Sequence, residues 1–428
     1  MRKWVSFFPK KSDLFKEKIT AYTEQVENSI ILNSSNFINE KKYKEYSKFN
    51  FLAGFEEVSK ILDLDNNFRR LEDDWYLGFL NYNFNNISSK KDSIIYFPNS
   101  YFFQPKWLII EENSQWKIGF LENISNKEEA LEFIKNIELY KSNKTNALDK
   151  TEIKQSLSKT EYLEKFNKIK SEIYKGNLSV INLAIEFYCN NITLNPASTF
   201  ININKLSPMP FSSFIKIKSK YALVFSPERY LQKNSNKIIT MPMKGTAGKS
   251  NNSNENINIL NKLLSSQKER GENITTVEEI KKQLSTISKE KSIVIEELCS
   301  VYDFPNVYQM VSTISSNLLD DKNWFDAIKS TFPMGSISGV PKERAVELIE
   351  KLEPNNRSLF SGSIGYITPK KDFDFNVVIR SLFYDDKENN LSFWAGSAIT
   401  ANSIGEEEYE ECLTKSAIIK KYLTDKGK

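Results

Sequence analysis

The chain has 428 residues, 40% of them hydrophobic and 27% charged, with 59 basic against 55 acidic side chains. That length carries two or three ordinary domains or two large interlocked ones, and so even a charge balance, with no basic block, gives no electrostatic case for nucleic acid. Histidine is absent, which excludes Ser-His-Asp and Cys-His catalysis in their usual forms, leaves acid–base work to Glu, Asp, Lys or Tyr, and leaves any metal to oxygen ligands, as suits a hard cation such as Mg²⁺.

The three cysteines, Cys189, Cys299 and Cys412, are too few and too widely spaced for a disulfide framework or a zinc site. The N-terminal "MRKWVSFFPKKSDLF" lacks the apolar run of a signal peptide, and no stretch approaches the ~20 apolar residues of a membrane span. A soluble, cytoplasmic protein with no membrane partner is the expectation.

Along residues 1–130 short strands and helices alternate. "SIILNSS" and "FNFLAGF" have strand character, and "SIIYFPNSYFFQPKWLIIEE" predicts strands broken at Pro98 and Pro105. A charged helix follows over roughly 126–142, then a polar, unpatterned linker near 141–156. This divides the chain into an N-terminal region, 1–150, and a second domain, 151–428. In the second, Tyr162, Phe166, Ile169 and Ile173 recur at helical spacing and stop at Gly176. "LSVINLAIEFYC", "KYALVFSPERYLQ" and "NKIITMPMKGT" predict strands, and 256–289 predicts a helix with an irregular patch near Gly271. "AVELIEKLE" is helical, three strands follow in "SLFSGSIGYITP", "FNVVIRSLFY" and "NLSFWAGSAIT", and "GEEEYEECLTKSAIIKKYL" closes the chain as a helix. Strands grouped in hairpins with helices apart from them indicate an α+β fold with antiparallel sheets.

Three features carry chemistry. "MPMKGTAGKS" ends like a phosphate-binding loop, but Met243 stands where the first glycine belongs, and the polar "NNSNENIN" predicts no immediate helix to hold phosphates. "FPMGSISGVPKERA" brackets a loop with Gly335 and Gly339 and places Pro341 in the first turn of a helix, an anion-binding arrangement ending in Lys342. On the last helix Glu408 and Glu411 are three apart and share a face. Beside an anion-binding loop they suit a cation-bridged carboxylate site, given one more glutamate from elsewhere.

The segments "FSPERYL", "MPMKGT", "FPMGSISGVPKERAVELIEKLEP", "LFSGSIGYI", "DFNVVIRS", "GSAIT" and "EEEYEECLTKS" occur here in the order typical of the chorismate-utilising enzymes. The resemblance is strong over 155–425 and weaker before it. That family includes anthranilate synthase, isochorismate synthase and aminodeoxychorismate synthase component I. Lys244, in P-M-K-G-T, resembles the P-I-K-G-T of the aminodeoxychorismate branch, where anthranilate synthases carry Ala.

The resemblance implies the family's α+β chorismate-binding fold, two interlocked sheet-rich halves with peripheral helices. It implies that chorismate and ammonia yield 4-amino-4-deoxychorismate for para-aminobenzoate and folate synthesis, the ammonia supplied by a glutamine amidotransferase subunit. Lys244 is then a nucleophile that adds to the chorismate ring, with Lys249 as the cation that lowers its pKa, and Glu228 is the general acid. Glu272 and Glu411, with Glu408, would hold Mg²⁺. Arg380 and Tyr366 would bind the enolpyruvyl carboxylate, backbone N–H groups around Gly339, Gly362 and Gly396 would help, and Thr246, Tyr308, Thr313 and Lys415 would complete the substrate site.

The chain departs from the family pattern in places. Relatives have V-H-Q-M where this chain has Val307-Tyr308-Gln309-Met310. Glu278, Lys281, Lys282 and Gln283 replace a familiar Asp/Arg/Asn/Asp set behind Glu272. Two other readings stay open on sequence alone: another chorismate enzyme, such as anthranilate or isochorismate synthase, or a homologue that keeps the fold with impaired catalysis.

Overall fold

The computed structural model describes residues 1–35, 37, 48–85, 91–142, 152–250 and 252–425. Of the expected linker, residues 143–151 lie outside this set; at its far end Lys154–Gln155 pairs with Tyr188 and Phe187.

Strands from both ends of the chain are woven into one antiparallel network. From one edge, Val180–Cys189 pairs with Asn390–Ile399, which pairs with Ser381–Asp385. The run continues through Lys220–Ser226, Phe211–Ile217, Asn28–Asn33 and Phe51–Ile61 to the long strand Ser100–Glu112. There the sheet forks. The C-terminal half of Ser100–Glu112 pairs with Gln115–Leu121 and, through it, Arg2–Phe7; its N-terminal half pairs with Tyr76–Leu80. From Tyr76–Leu80 a second run passes through Ser363–Ile367, Phe373–Asn376, Arg229–Asn234 and Lys237–Met241 to Val307–Asn317. The last strand also pairs with Met243–Gly248 and Val294–Asp303. Helices pack outside, giving the expected α+β fold of two interlocked sheet-rich halves.

The helix Lys159–Tyr174 shows how local sequence and packing agree. Ser158 and Glu161 form a reciprocal capping box, and the buried residues are the four predicted, Tyr162, Phe166, Ile169 and Ile173. Each contributes roughly 1.5–3 kcal/mol of burial. Gly176 follows at φ +77°, a conformation that ends the helix at little cost only for glycine.

Three local expectations are corrected. Ser100–Glu112 runs unbroken through Pro105, because the partner strand shifts register between Glu57 and Ser59 opposite it and Arg2 Nη2 donates to the Pro105 carbonyl at 2.6 Å. The predicted irregularity at Gly271 is absent; the helical stretch divides instead at Ser266, which ends Ser253–Ser265 and caps Gln267–Ser285 by accepting from Glu269 N. A helix does begin just beyond "GTAGKS", at Ser253, capped by Asn252. It starts three residues too late to follow a phosphate loop directly, and Met243 is part of a strand. Among the described residues no helix is long and apolar enough to cross a membrane.

Arg229, fully buried, locks the second run of strands. Its Nε and Nη2 donate to the two Asp374 oxygens at 2.9 and 3.0 Å. Cutting one partner of such a buried pair strands the other charge, so Arg229→Met should lose about 3–5 kcal/mol of unfolding free energy in urea titrations at pH 7.

Candidate active site

Six elements of the sheet and its helices bring one set of charged groups together. Lys244 lies on the strand Met243–Gly248 and is buried. Its Nζ donates to Asn182 Oδ1 at 3.3 Å, from the strand Val180–Cys189. Asn182 is held in turn, its N–H on the Ser338 carbonyl at 2.8 Å and its Nδ2 on the Ser336 carbonyl at 3.2 Å. The loop "GSISG" therefore fixes the residue that fixes Lys244. That loop is tight: Gly339 has φ +154°, and a Cβ there would lie 2.3 Å from the Val180 carbonyl oxygen. Pro341 is the N-cap of the helix Lys342–Leu352 rather than part of its first turn.

Burial pushes the Lys244 amine below the usual lysine value, with Lys415 adding to the shift and Glu272, Glu228 and Glu411 opposing it. The neighbouring cation is thus Lys415, not Lys249 as expected. Lys249 pairs with Asp303 and sits 4.8 Å over the Tyr308 ring. Glu228 is buried directly after the strand Lys220–Ser226. Burial raises its pKa to about 7, against the Ser336 hydroxyl, Lys244, the Met243 N–H and Arg380. Arg380, at φ +51°, is brought down to about 10 by burial, with Glu228 resisting.

Two helices supply the remaining carboxylates. On Gln267–Ser285, Glu269 and Glu272 are three apart; on Gly405–Asp425, Glu408 and Glu411 repeat the spacing. Burial raises Glu272 to about 7, Lys244 opposing and Glu269 adding, and raises Glu269 as well. Glu408 is only 1% exposed and accepts from Lys268 Nζ at 3.1 Å. Burial works against the Lys268 ammonium, but Glu408, Glu272 and Glu269 outweigh it and raise its pKa. Glu411 accepts from Lys415 at 2.6 Å, and Lys415 also donates to the Gly396 carbonyl at 3.0 Å. Burial favours the neutral acid at Glu411, but Lys415, Lys268 and Lys244 prevail and lower its pKa.

Glu272 Oε1 and Glu408 Oε2 are buried without a hydrogen-bond partner. Two orphaned anionic oxygens within an all-oxygen donor set fit a hard divalent cation by their chemistry. As they stand, lysines hold Glu408 and Glu411, and among the described residues no three acidic or sulfur ligands converge on one point.

Of the predicted site residues, Lys244, Glu228, Glu272, Glu408, Glu411, Arg380, Lys415 and Gly396 are assembled here. Others have partners of their own. Thr246 donates to Gln309 Oε1 at 2.8 Å, Thr313 to Glu297 Oε2 at 3.2 Å, and Tyr308 packs with Leu263, Cys299 and Met310. Tyr366 packs edge-on to Phe49 and beside Trp75, and lines a separate cavity with Asp374 and Asn376. The Gly362 N–H is committed to the Leu359 carbonyl at 3.0 Å. Sequence reasoning missed Glu269, Lys268 and the Ser336–Asn182 relay. The Glu269–Glu272 spacing in "KERGEN", matching Glu408–Glu411, was the available signal for the first.

A family profile described as chorismate binding enzyme matches residues 13–421, and the chain belongs to that family. Aminodeoxychorismate synthase component 1 of Escherichia coli (strain K12) is 32% identical over 268 residues, 63% of this chain and 58% of that protein. The protein of the same name from Bacillus subtilis (strain 168) is 28% identical over 256 residues, 60% of this chain and 54% of that one. The matched stretch therefore spans less than two thirds of the length of these curated relatives. In fold, the chain is similar to the menaquinone-specific isochorismate synthase of Escherichia coli (TM-score 0.81, 18% identity, 99% of this chain and 94% of that one). It is also similar to anthranilate synthase component I of Streptococcus pneumoniae (TM-score 0.77, 20% identity, 89% and 92%).

A buried carboxyl whose pKa rises from 4.5 to about 7 makes the fold less stable as pH climbs through that window, since the charged form is disfavoured only in the folded state. Glu228→Gln should therefore match the parent in stability below pH 4.5 and exceed it by about 3 kcal/mol above pH 7, measured by chemical denaturation across pH.

Proposed function

We propose that the protein is an aminodeoxychorismate synthase component, converting chorismate and ammonia to 4-amino-4-deoxychorismate. The observation that carries this reading is Lys244: a buried amine of lowered pKa, oriented by Asn182, beside a carboxyl group that titrates near neutrality. A neutral amine is a nucleophile and a protonated carboxyl is an acid, and burial shifts each group toward the needed form.

In this mechanism the Lys244 nitrogen forms a bond to the chorismate ring as the bond from C4 to its hydroxyl breaks. Glu228 gives its proton to that oxygen, which leaves as water. Ammonia then bonds to C4 and the lysine–ring bond breaks, returning a neutral amine at Lys244. Arg380 would pair with a substrate carboxylate near Glu228, Asn182 keeps the amine in place, and the Lys415 cation favours its neutral form. Glu272 and Glu411, with Glu408, are the residues that would hold Mg²⁺, which when bound neutralises a substrate carboxylate. All of these groups come from the 151–428 part, which we assign as the catalytic domain, with 1–150 as an N-terminal region that completes its sheet. The relatives' designation as component 1 supports a second component, and we assign to it the supply of ammonia from glutamine.

Incubation with chorismate, Mg²⁺ and an ammonium salt, with the product identified by mass, should yield aminodeoxychorismate; anthranilate or isochorismate instead would reassign the enzyme. Lys244→Ala should reduce the rate by at least ~10³-fold, and undiminished turnover would reject the covalent step. The rate should rise with pH as Lys244 loses its proton and fall above about pH 7 as Glu228 loses its own, and the falling limb should vanish in Glu228→Gln.

A further inference from the structure

We infer that Lys268 is a built-in counter-cation that occupies Glu408 and competes with a divalent ion for it, so that this lysine sets how tightly the site takes metal. The inference rests on the metal reading above and adds to it a residue with no ligand role.

The geometry carries it. Glu408 is almost wholly buried, and only one of its oxygens is satisfied: Oε1 takes the Lys268 ammonium at 3.1 Å, while Oε2 has no partner. Lys268 is the residue immediately before Glu269, on the helix that also presents Glu272, so its ammonium crosses from one acidic helix to the other. Its side chain remains 36% exposed, leaving it a path back to water when Glu408 is claimed by something else. Lys415 holds Glu411 in the same manner from within its own helix, but it is tied a second time, to the Gly396 carbonyl. Among the described residues Lys268 has Glu408 as its one hydrogen-bond partner, and it is the more readily displaced of the two.

The physics of exchange follows. Without a cation, the carboxylates Glu269, Glu272, Glu408 and Glu411 would repel one another at close range, and the lysines relieve that repulsion. A divalent ion that takes Glu408 must first break the Lys268 contact, so its apparent affinity is the intrinsic one diminished by that contact. A positioning role of this kind differs from simple structural support, which would make loss of the lysine weaken binding.

The test is Mg²⁺ titration of the full chain by calorimetry, without chorismate, on the parent, Lys268→Met, Lys268→Arg and Lys262→Met, a control at an exposed lysine of the preceding helix. Lys268→Met should bind Mg²⁺ about tenfold more tightly than the parent, with Lys268→Arg and Lys262→Met within about twofold of it. Binding by the methionine variant alone would also support the competition. Equal or weaker affinity in Lys268→Met, or an equal gain in Lys262→Met, would overturn the inference while leaving the metal reading intact. Absence of Mg²⁺ binding in every chain would overturn both. Should Lys268→Met fail to fold, Lys268→Gln carries the same comparison.

Discussion

The arrangement depends on placing an amine inside the protein without losing control of its proton. Lys244 is buried, and a buried ammonium is costly unless paired. The structure neither pairs it fully nor leaves it alone. It gives the nitrogen one neutral acceptor, Asn182, keeps Glu272 and Glu228 close enough to matter, and sets a second cation, Lys415, against them. Around it stand three cationic groups (Lys268, Lys415, Arg380) and five carboxyl groups (Glu228, Glu269, Glu272, Glu408, Glu411). Two of those carboxyl groups, Glu228 and Glu272, titrate near neutrality.

The rest of the fold follows from that constraint. A cluster so charged is stable only if its members are held on rigid elements, because flexible side chains would swing to water. Strands Val180–Cys189, Met243–Gly248 and Asn390–Ile399 and helices Gln267–Ser285 and Gly405–Asp425 supply that rigidity. The two runs of strands meet on Ser100–Glu112, so strands of the N-terminal part complete the sheet that carries the charged cluster. Buried pairs such as Arg229–Asp374, one residue from Glu228, fix the strand register next to the acid.

What the sequence disclosed divides along physical lines. Features set by neighbours in the chain were legible: the capping box at Ser158, the buried stripe of Lys159–Tyr174, and the paired glutamates of the last helix. The family motifs located Lys244, Glu228 and Arg380. Features set by contacts across the fold were not. Lys249 is five residues from Lys244, but it lies just past the end of that strand and pairs with Asp303, while Lys415 arrives from the last helix. Pro105 passes for a strand breaker unless the irregular register opposite it is known. Gly271 has the weaker intrinsic helix propensity, but Ser266 ends the helix because its side chain satisfies the next one's free N–H groups.

The absence of histidine acquires a different weight in this light. On sequence, Tyr308 replaces the histidine of relatives and suggests a damaged site. In the fold, its ring lies under Lys249 and against Leu263 and Met310. Likewise Glu278 and Lys281 pair with each other on the exposed face of their helix, and the buried face behind Glu272 is anchored instead by Asn273 bonded to Ser312. Of the replaced set, Gln283 lines a cavity together with Glu228 and Ser336. Burial lifts the carboxyl of Glu228 to about 7, into the range in which a histidine titrates.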